Sequence, residues 1–179
     1  YGDTDNFTNI EHITGSDEVD NLSGDSAQNT FLGNGEADSL FGAGGDDYLD
    51  GGNADDTITG GTGDDIIKGG LGNDTVDYTG SSSLVVSLAI GQGVDADGTD
   101  TLSSIENVNG SANVDTITGN NSTNILDAKA GNDTIDAGAG DDTLIGGADN
   151  DTLQAGDGDD AIYGGQYNAG AGSVDGTDT

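Results

Sequence analysis

Aspartate returns at nine-residue intervals along most of this chain. Take Gly60-Gly61-Thr62-Gly63-Asp64-Asp65-Ile66-Ile67-Lys68 as the reference unit, with its first glycine as position one. Position six then reads Asp20, Asn29, Asp38, Asp47, Asp56, Asp65 and Asp74 in one run, and Asp115, Asn124, Asp133, Asp142, Asp151 and Asp160 in a second. Two carboxylates about 5 Å apart repel by about 3 kcal/mol at an effective dielectric near 20, so carboxylates at this density demand a bound cation. Calcium suits them, because it takes six to eight oxygens from carboxylates and backbone carbonyls. Magnesium prefers a smaller, stricter octahedron and is expected to substitute poorly. Zinc lacks its usual ligands, since His12 is the single histidine and cysteine is absent.

Ligands of this kind need elements that hold them in line. Position eight reads Leu22, Phe31, Leu40, Leu49, Ile58, Ile67 and Val76, then Ile117, Leu126, Ile135, Leu144, Leu153 and Ile162. A flexible Gly/Asp linker would not keep an apolar residue in that register. Positions seven to nine, such as Thr57-Ile58-Thr59, set one apolar side chain between polar flanks, which favours a short β-strand with its middle residue inward. Glycine at positions one, two and four reaches backbone angles closed to other residues, so the six residues before each strand are expected to reverse the chain. Two nonapeptides close one flat coil, and strands of successive coils stack in parallel about 4.8 Å apart. Stacking then brings together Asp38 and Asp56, Asp47 and Asp65, and Asp56 and Asp74, with calcium between them.

This pattern resembles the repeats-in-toxin (RTX) family of secreted bacterial proteins, whose Gly-Gly-x-Gly-x-Asp-x-aliphatic-x repeat folds with calcium. The resemblance implies an all-β chain: a right-handed parallel β-roll, or β-solenoid, with calcium ions between stacked loops. It implies carboxylate ligands at Asp20, Asp38, Asp47, Asp56, Asp65, Asp74, Asp115, Asp133, Asp142, Asp151 and Asp160. Carbonyls of the glycine-rich loops would complete the shells, with Gly35, Gly44, Gly45, Gly52, Gly61, Gly63, Gly70, Gly72, Gly138, Gly140, Gly147, Gly156 and Gly158 as candidates. Asn29 and Asn124 lie in loops without glycine at positions two and four, so the Asn29–Asp47 and Asn124–Asp142 gaps are expected to be weak or empty.

The runs define the organisation. Residues 1–14 end an insert segment, 15–77 form a first β-roll block, 78–109 an insert, 110–165 a second block, and 166–179 the start of a further insert. Gly98-Thr99-Asp100-Thr101-Leu102 followed by Ile105-Glu106-Asn107-Val108 echoes Thr4-Asp5-Asn6-Phe7 followed by Ile10-Glu11-His12-Ile13, and Gly176-Thr177-Asp178-Thr179 opens a third copy. Glu11 and Glu106 are expected at position six of added turns, and Ser83-Leu84-Val85-Val86-Ser87-Leu88 alternates as a strand does. The chain begins at Tyr1 and stops inside the recurring motif, so it reads as part of something longer.

Composition excludes several functions. The chain has 35 acidic residues against 2 basic ones, a formal charge of −33, with 34 Gly and no Pro, Cys, Met or Trp. Nucleic acid needs a basic surface, and an anionic membrane is disfavoured for the same reason. No apolar stretch approaches the length of a membrane-spanning helix. Paired carboxylates serve glycoside hydrolysis, yet their regular repetition favours metal ligation. The nucleophile elbow, the His-Glu-x-x-His pair and the phosphate-loop lysine are all missing. Loop positions three and five are mixed, as in Asn53/Asp55 and Thr62/Asp64, which argues against a flat ice-binding face. The expected function is therefore non-enzymatic: a calcium-binding structural module of an adhesin or surface-layer type protein. The alternative is an accessory folding and secretion domain of an exported lipase, protease or epimerase. The resemblance adds export from a Gram-negative cell by type I secretion and folding in calcium-rich medium outside. Expected partners are calcium, further blocks of the same chain, and a cell-surface or polysaccharide ligand.

Overall fold

The computed structural model describes residues 11–165, which form short strands joined by turns, bends and irregular loops. Among them no helix is long and apolar enough to cross a membrane. Position eight explains the fold. Leu22, Phe31, Leu40, Leu49, Ile58, Ile67, Val76, Ile117, Leu126, Ile135, Leu144 and Leu153 are all buried, and Ile162 is half-buried. Nearly every repeat thus offers one inward apolar residue to a narrow core between the two sheets, which a polar, glycine-rich chain can fill.

Contacts divide the described chain into two compact units, 11–77 with 97–105 and 78–96 with 106–165. In the first, one sheet stacks β1 (His12–Thr14), β3 (Thr30–Asn34), β5 (Tyr48–Asn53), β7 (Ile66–Leu71) and β11 (Thr99–Ser103). The opposite sheet stacks β2 (Asn21–Ser23), β4 (Ser39–Gly44), β6 (Thr57–Thr62) and β8 (Thr75–Asp77). Pairing is parallel with position eight opposite position eight: Phe31 with Leu49, Leu49 with Ile67, Leu40 with Ile58. Consecutive repeats alternate between sheets, so two make a coil, and the unit is a parallel β-roll.

The second unit repeats the plan. One sheet carries β9 (Val85–Ser87), β13 (Thr116–Thr118), β15 (Thr134–Ala139) and β17 (Thr152–Asp157) in parallel. The other carries β12 (Asn107–Asn109), β14 (Ile125–Asp127), β16 (Thr143–Ile145) and β18 (Ala161–Tyr163). β10 (Gln92–Val94) departs from the pattern, folding back antiparallel on β9. Gly91, at φ 67, lies in the tight turn between them and supplies the left-handed residue such a hairpin needs.

Several local expectations change. The strand foreseen at Ser83–Leu88 is shorter, at Val85–Ser87. Strands β4 to β7, β15 and β17 span six residues rather than three, running through position three of the next repeat. Position-one glycines from Gly15 to Gly69 do not adopt positive φ. Their backbone angle does not require glycine. Alanine, buried at Ala128, Ala137 and Ala155, therefore serves at the same position.

Candidate metal centre

The inward row holds position six as well as position eight. Asp38, Asp47, Asp56, Asp65, Asp74, Asp115, Asp133 and Asp142 are at most 2% exposed, and Asp151 is 8% exposed. One oxygen of each carboxylate is used by the fold. Oδ1 of Asp56 accepts the N–H of Asp38 (2.7 Å), Oδ1 of Asp65 that of Asp47 (2.8 Å), and Oδ1 of Asp74 that of Asp56 (2.8 Å). Asp133, Asp142, Asp151 and Asp160 accept from Asp115, Asn124, Asp133 and Asp142 in the same way. The expected pairs eighteen residues apart are thus stacked and tied to one another.

The second oxygen is different. Oδ2 of Asp38, Asp47, Asp56, Asp65, Asp133, Asp142, Asp151 and Asp160 is buried and receives no hydrogen bond. An ionised oxygen in that state is costly, because water is lost and nothing replaces it. Burial, reinforced by neighbouring carboxylates against the favourable backbone hydrogen bond, pushes Asp47, Asp56, Asp65 and Asp133 up to about 6. Asp38 and Asp142 rise for the same reasons. A row of buried oxygens that disfavour their own charge fits a hard cation. Among the described residues no three acidic, histidine or cysteine side chains converge on one point. Any metal shell here must therefore draw main-chain carbonyls as well as carboxylates, which is calcium's habit and not zinc's.

Position two decides which carboxylates are left in this state. It has positive φ in every repeat whose position-six Oδ2 lacks a donor: Asn34, Ala43, Gly52, Gly61, Lys129, Gly138, Gly147 and Gly156. Elsewhere the loop folds on itself. Ser16 N–H donates to Asp20 Oδ2 (2.6 Å), Asp25 N–H to Asn29 Oδ1 (3.0 Å), Ser111 N–H to Asp115 Oδ2 (2.7 Å) and Asn120 N–H to Asn124 Oδ1 (2.9 Å).

The candidate glycines sort by position. Gly52, Gly61, Gly70, Gly138, Gly147 and Gly156 stand at position two, and Gly45, Gly63, Gly72, Gly140 and Gly158 at position four, all with positive φ. Gly35 and Gly44 stand at position three without it. Close approach adds to the demand for glycine. A Cβ at Gly52 would lie 2.5 Å from the carbonyl oxygen of Asn34 in the coil below.

One ladder residue escaped the sequence reading. Asp100 is 6% exposed, and its Oδ1 accepts the N–H of Asp65 at 3.0 Å. Leu102 pairs with Ile67, so Asp100 holds position six of an added turn. The signal was present, since Gly98, Asp100 and Leu102 fill positions four, six and eight, but the 35-residue offset hid the phase. Glu106 lies two residues before Val108, which pairs with Leu126, and its carbonyl accepts Asn124 Nδ2 at 2.8 Å.

No curated protein matches the chain. A family model described as the RTX calcium-binding nonapeptide repeat matches residues 14–49, 23–57, 50–80, 103–135 and 136–166. These segments cover most of the chain and contain the whole aspartate ladder except Asp100. With repeat spacing, parallel coils and buried carboxylate oxygens in agreement, the chain belongs to the RTX calcium-binding nonapeptide repeat family.

Proposed function

We propose that this chain is a calcium-dependent structural module of a secreted or cell-surface protein, folding when it meets calcium outside the cell and contributing no catalysis of its own. The carrying observation is the row of buried, donorless Oδ2 atoms from Asp38 to Asp65 and from Asp133 to Asp160. Calcium binds there with carbonyls of the glycine-rich loops, and Asp74 takes the same role by its place in the ladder. Because these sites exist only when coils are stacked, binding energy is folding energy. In calcium-poor cytoplasm the formal charge of −33 keeps the chain open, which suits export as an unfolded polypeptide. The echo of Thr4-Asp5-Asn6-Phe7 in Thr99-Asp100-Thr101-Leu102 supports a long tandem array of adhesin or surface-layer type.

The test is calcium titration of the stripped protein followed by far-UV circular dichroism, with magnesium in parallel and bound ions counted by native mass spectrometry. A cooperative coil-to-β transition with calcium, and little response to magnesium at the same concentration, is expected. A spectrum indifferent to both ions would overturn the proposal.

A further inference from the structure

In each unit the repeats that open the nonapeptide run differ from those that follow. The first two of the first unit are residues 15–32, and the first two of the second are 110–127. All four loops share one hydrogen-bond pattern. The position-two side chain accepts the position-four N–H: Ser16 from Glu18 (3.2 Å), Asp25 from Ala27 (2.8 Å), Ser111 from Asn113 (3.0 Å) and Asn120 from Ser122 (2.7 Å). The position-two N–H in turn donates to the side chain at position six. Short polar side chains close turns in this way, satisfying the loop from within.

The consequence reaches the ladder. Asp115 receives the N–H of Ser111, its hydroxyl at 2.8 Å and the N–H of Leu84 at 3.0 Å. Asn124 accepts from Asn120 and donates to the Glu106 carbonyl, so both ends of its amide are used. Asp20 is held by the N–H and hydroxyl of Ser16. None of these four position-six residues has the buried, donorless oxygen found in later repeats. A polar residue at position two is not sufficient by itself: Asn34 is left-handed at φ 80, and its amide donates to the Gly15 carbonyl instead.

We propose that the first coil of each nonapeptide run, residues 15–32 and 110–127, is a metal-free coil whose loops satisfy themselves, and that calcium is held only by the repeats that follow it in the run. This rests on the calcium reading above. Such a coil keeps its buried polar groups paired without metal and offers a preformed ladder edge to the next coil.

The sharpest test is Asn124→Asp, which restores the family's aspartate at position six. If residue type at position six decided binding, this variant would gain an ion. The closed loop instead predicts a calcium count equal to wild type by native mass spectrometry of the full chain. Opening the loop as well, with Asn120→Gly and Ser122→Gly, is expected to add one ion. A gain with N124D alone, or no gain with the triple variant, would overturn the proposal. Hydrogen exchange of the stripped wild type supplies a readout independent of folding variants. Amides of β13 and β14 are expected to keep more protection than those of β16 and β17, and equal loss would overturn it. A wild type that binds no calcium at all would instead refute the function on which the proposal rests.

Discussion

Stripping calcium at neutral pH should unfold the repeats of the first unit that follow residue 32, and acidification should partly restore them. The metal-free carboxylates of Asp47, Asp56 and Asp65 are pushed from 3.8 to about 6, first by burial and then by neighbouring carboxylates such as Asp46, Asp74 and Asp64. A folded-state value above the unfolded one means that the fold favours the protonated form. The penalty is therefore fully present above about 6 and disappears as pH falls below about 4. A gap of roughly two pH units is worth about 3 kcal/mol per carboxylate. Three such groups give about 9 kcal/mol, but neighbouring sites in one network do not add independently, so roughly half is the safer figure. That still rivals the stability of a small domain, about 5–15 kcal/mol. Far-UV circular dichroism of exhaustively stripped protein should show a large loss of β signal at pH 7.4 and its recovery near pH 4.5. Recovery should persist at about 1 M salt, where long-range repulsion between surface charges is screened and burial is not. Retention of full β signal at pH 7.4 without calcium, or loss of structure on acidification from pH 7 to 4.5, would show that buried carboxylate charge does not control folding.

Asp56→Asn should lower the number of bound calcium ions, because a donorless carboxylate oxygen is replaced by an uncharged amide; native mass spectrometry reads it directly. Calcium affinity measured by titration calorimetry should fall as pH drops through about 6, where protons begin to compete for Asp47, Asp56, Asp65 and Asp133. Gly52→Ala should destabilise the calcium-loaded form by about 2 kcal/mol or more, since φ is 110 and the new Cβ would meet the Asn34 backbone. Gly80→Ala, where a Cβ meets nothing within 4 Å, should change urea-melt stability by less than about 0.5 kcal/mol. Leu49→Ala removes a fully buried side chain from the core between the sheets and should cost about 2–5 kcal/mol in the same assay.

The nine-residue period was enough to determine the coil, the inward aliphatic row and the stacking of Asp38, Asp47 and Asp56 on their partners. Those features repeat locally, and side-chain direction in a strand alternates whatever lies elsewhere in the chain. The added turn at Asp100 was harder to see, because its place in the ladder comes from a strand pairing across a 35-residue offset rather than from the period. Which carboxylates are donorless also lay beyond position six itself. That depends on where the position-two N–H points, which is a backbone angle, and Asn34 and Asn120 take opposite angles at the same repeat position. Residue type and spacing therefore specified the row of acids, while the backbone angle at position two of each loop marks the members whose oxygens remain without a donor.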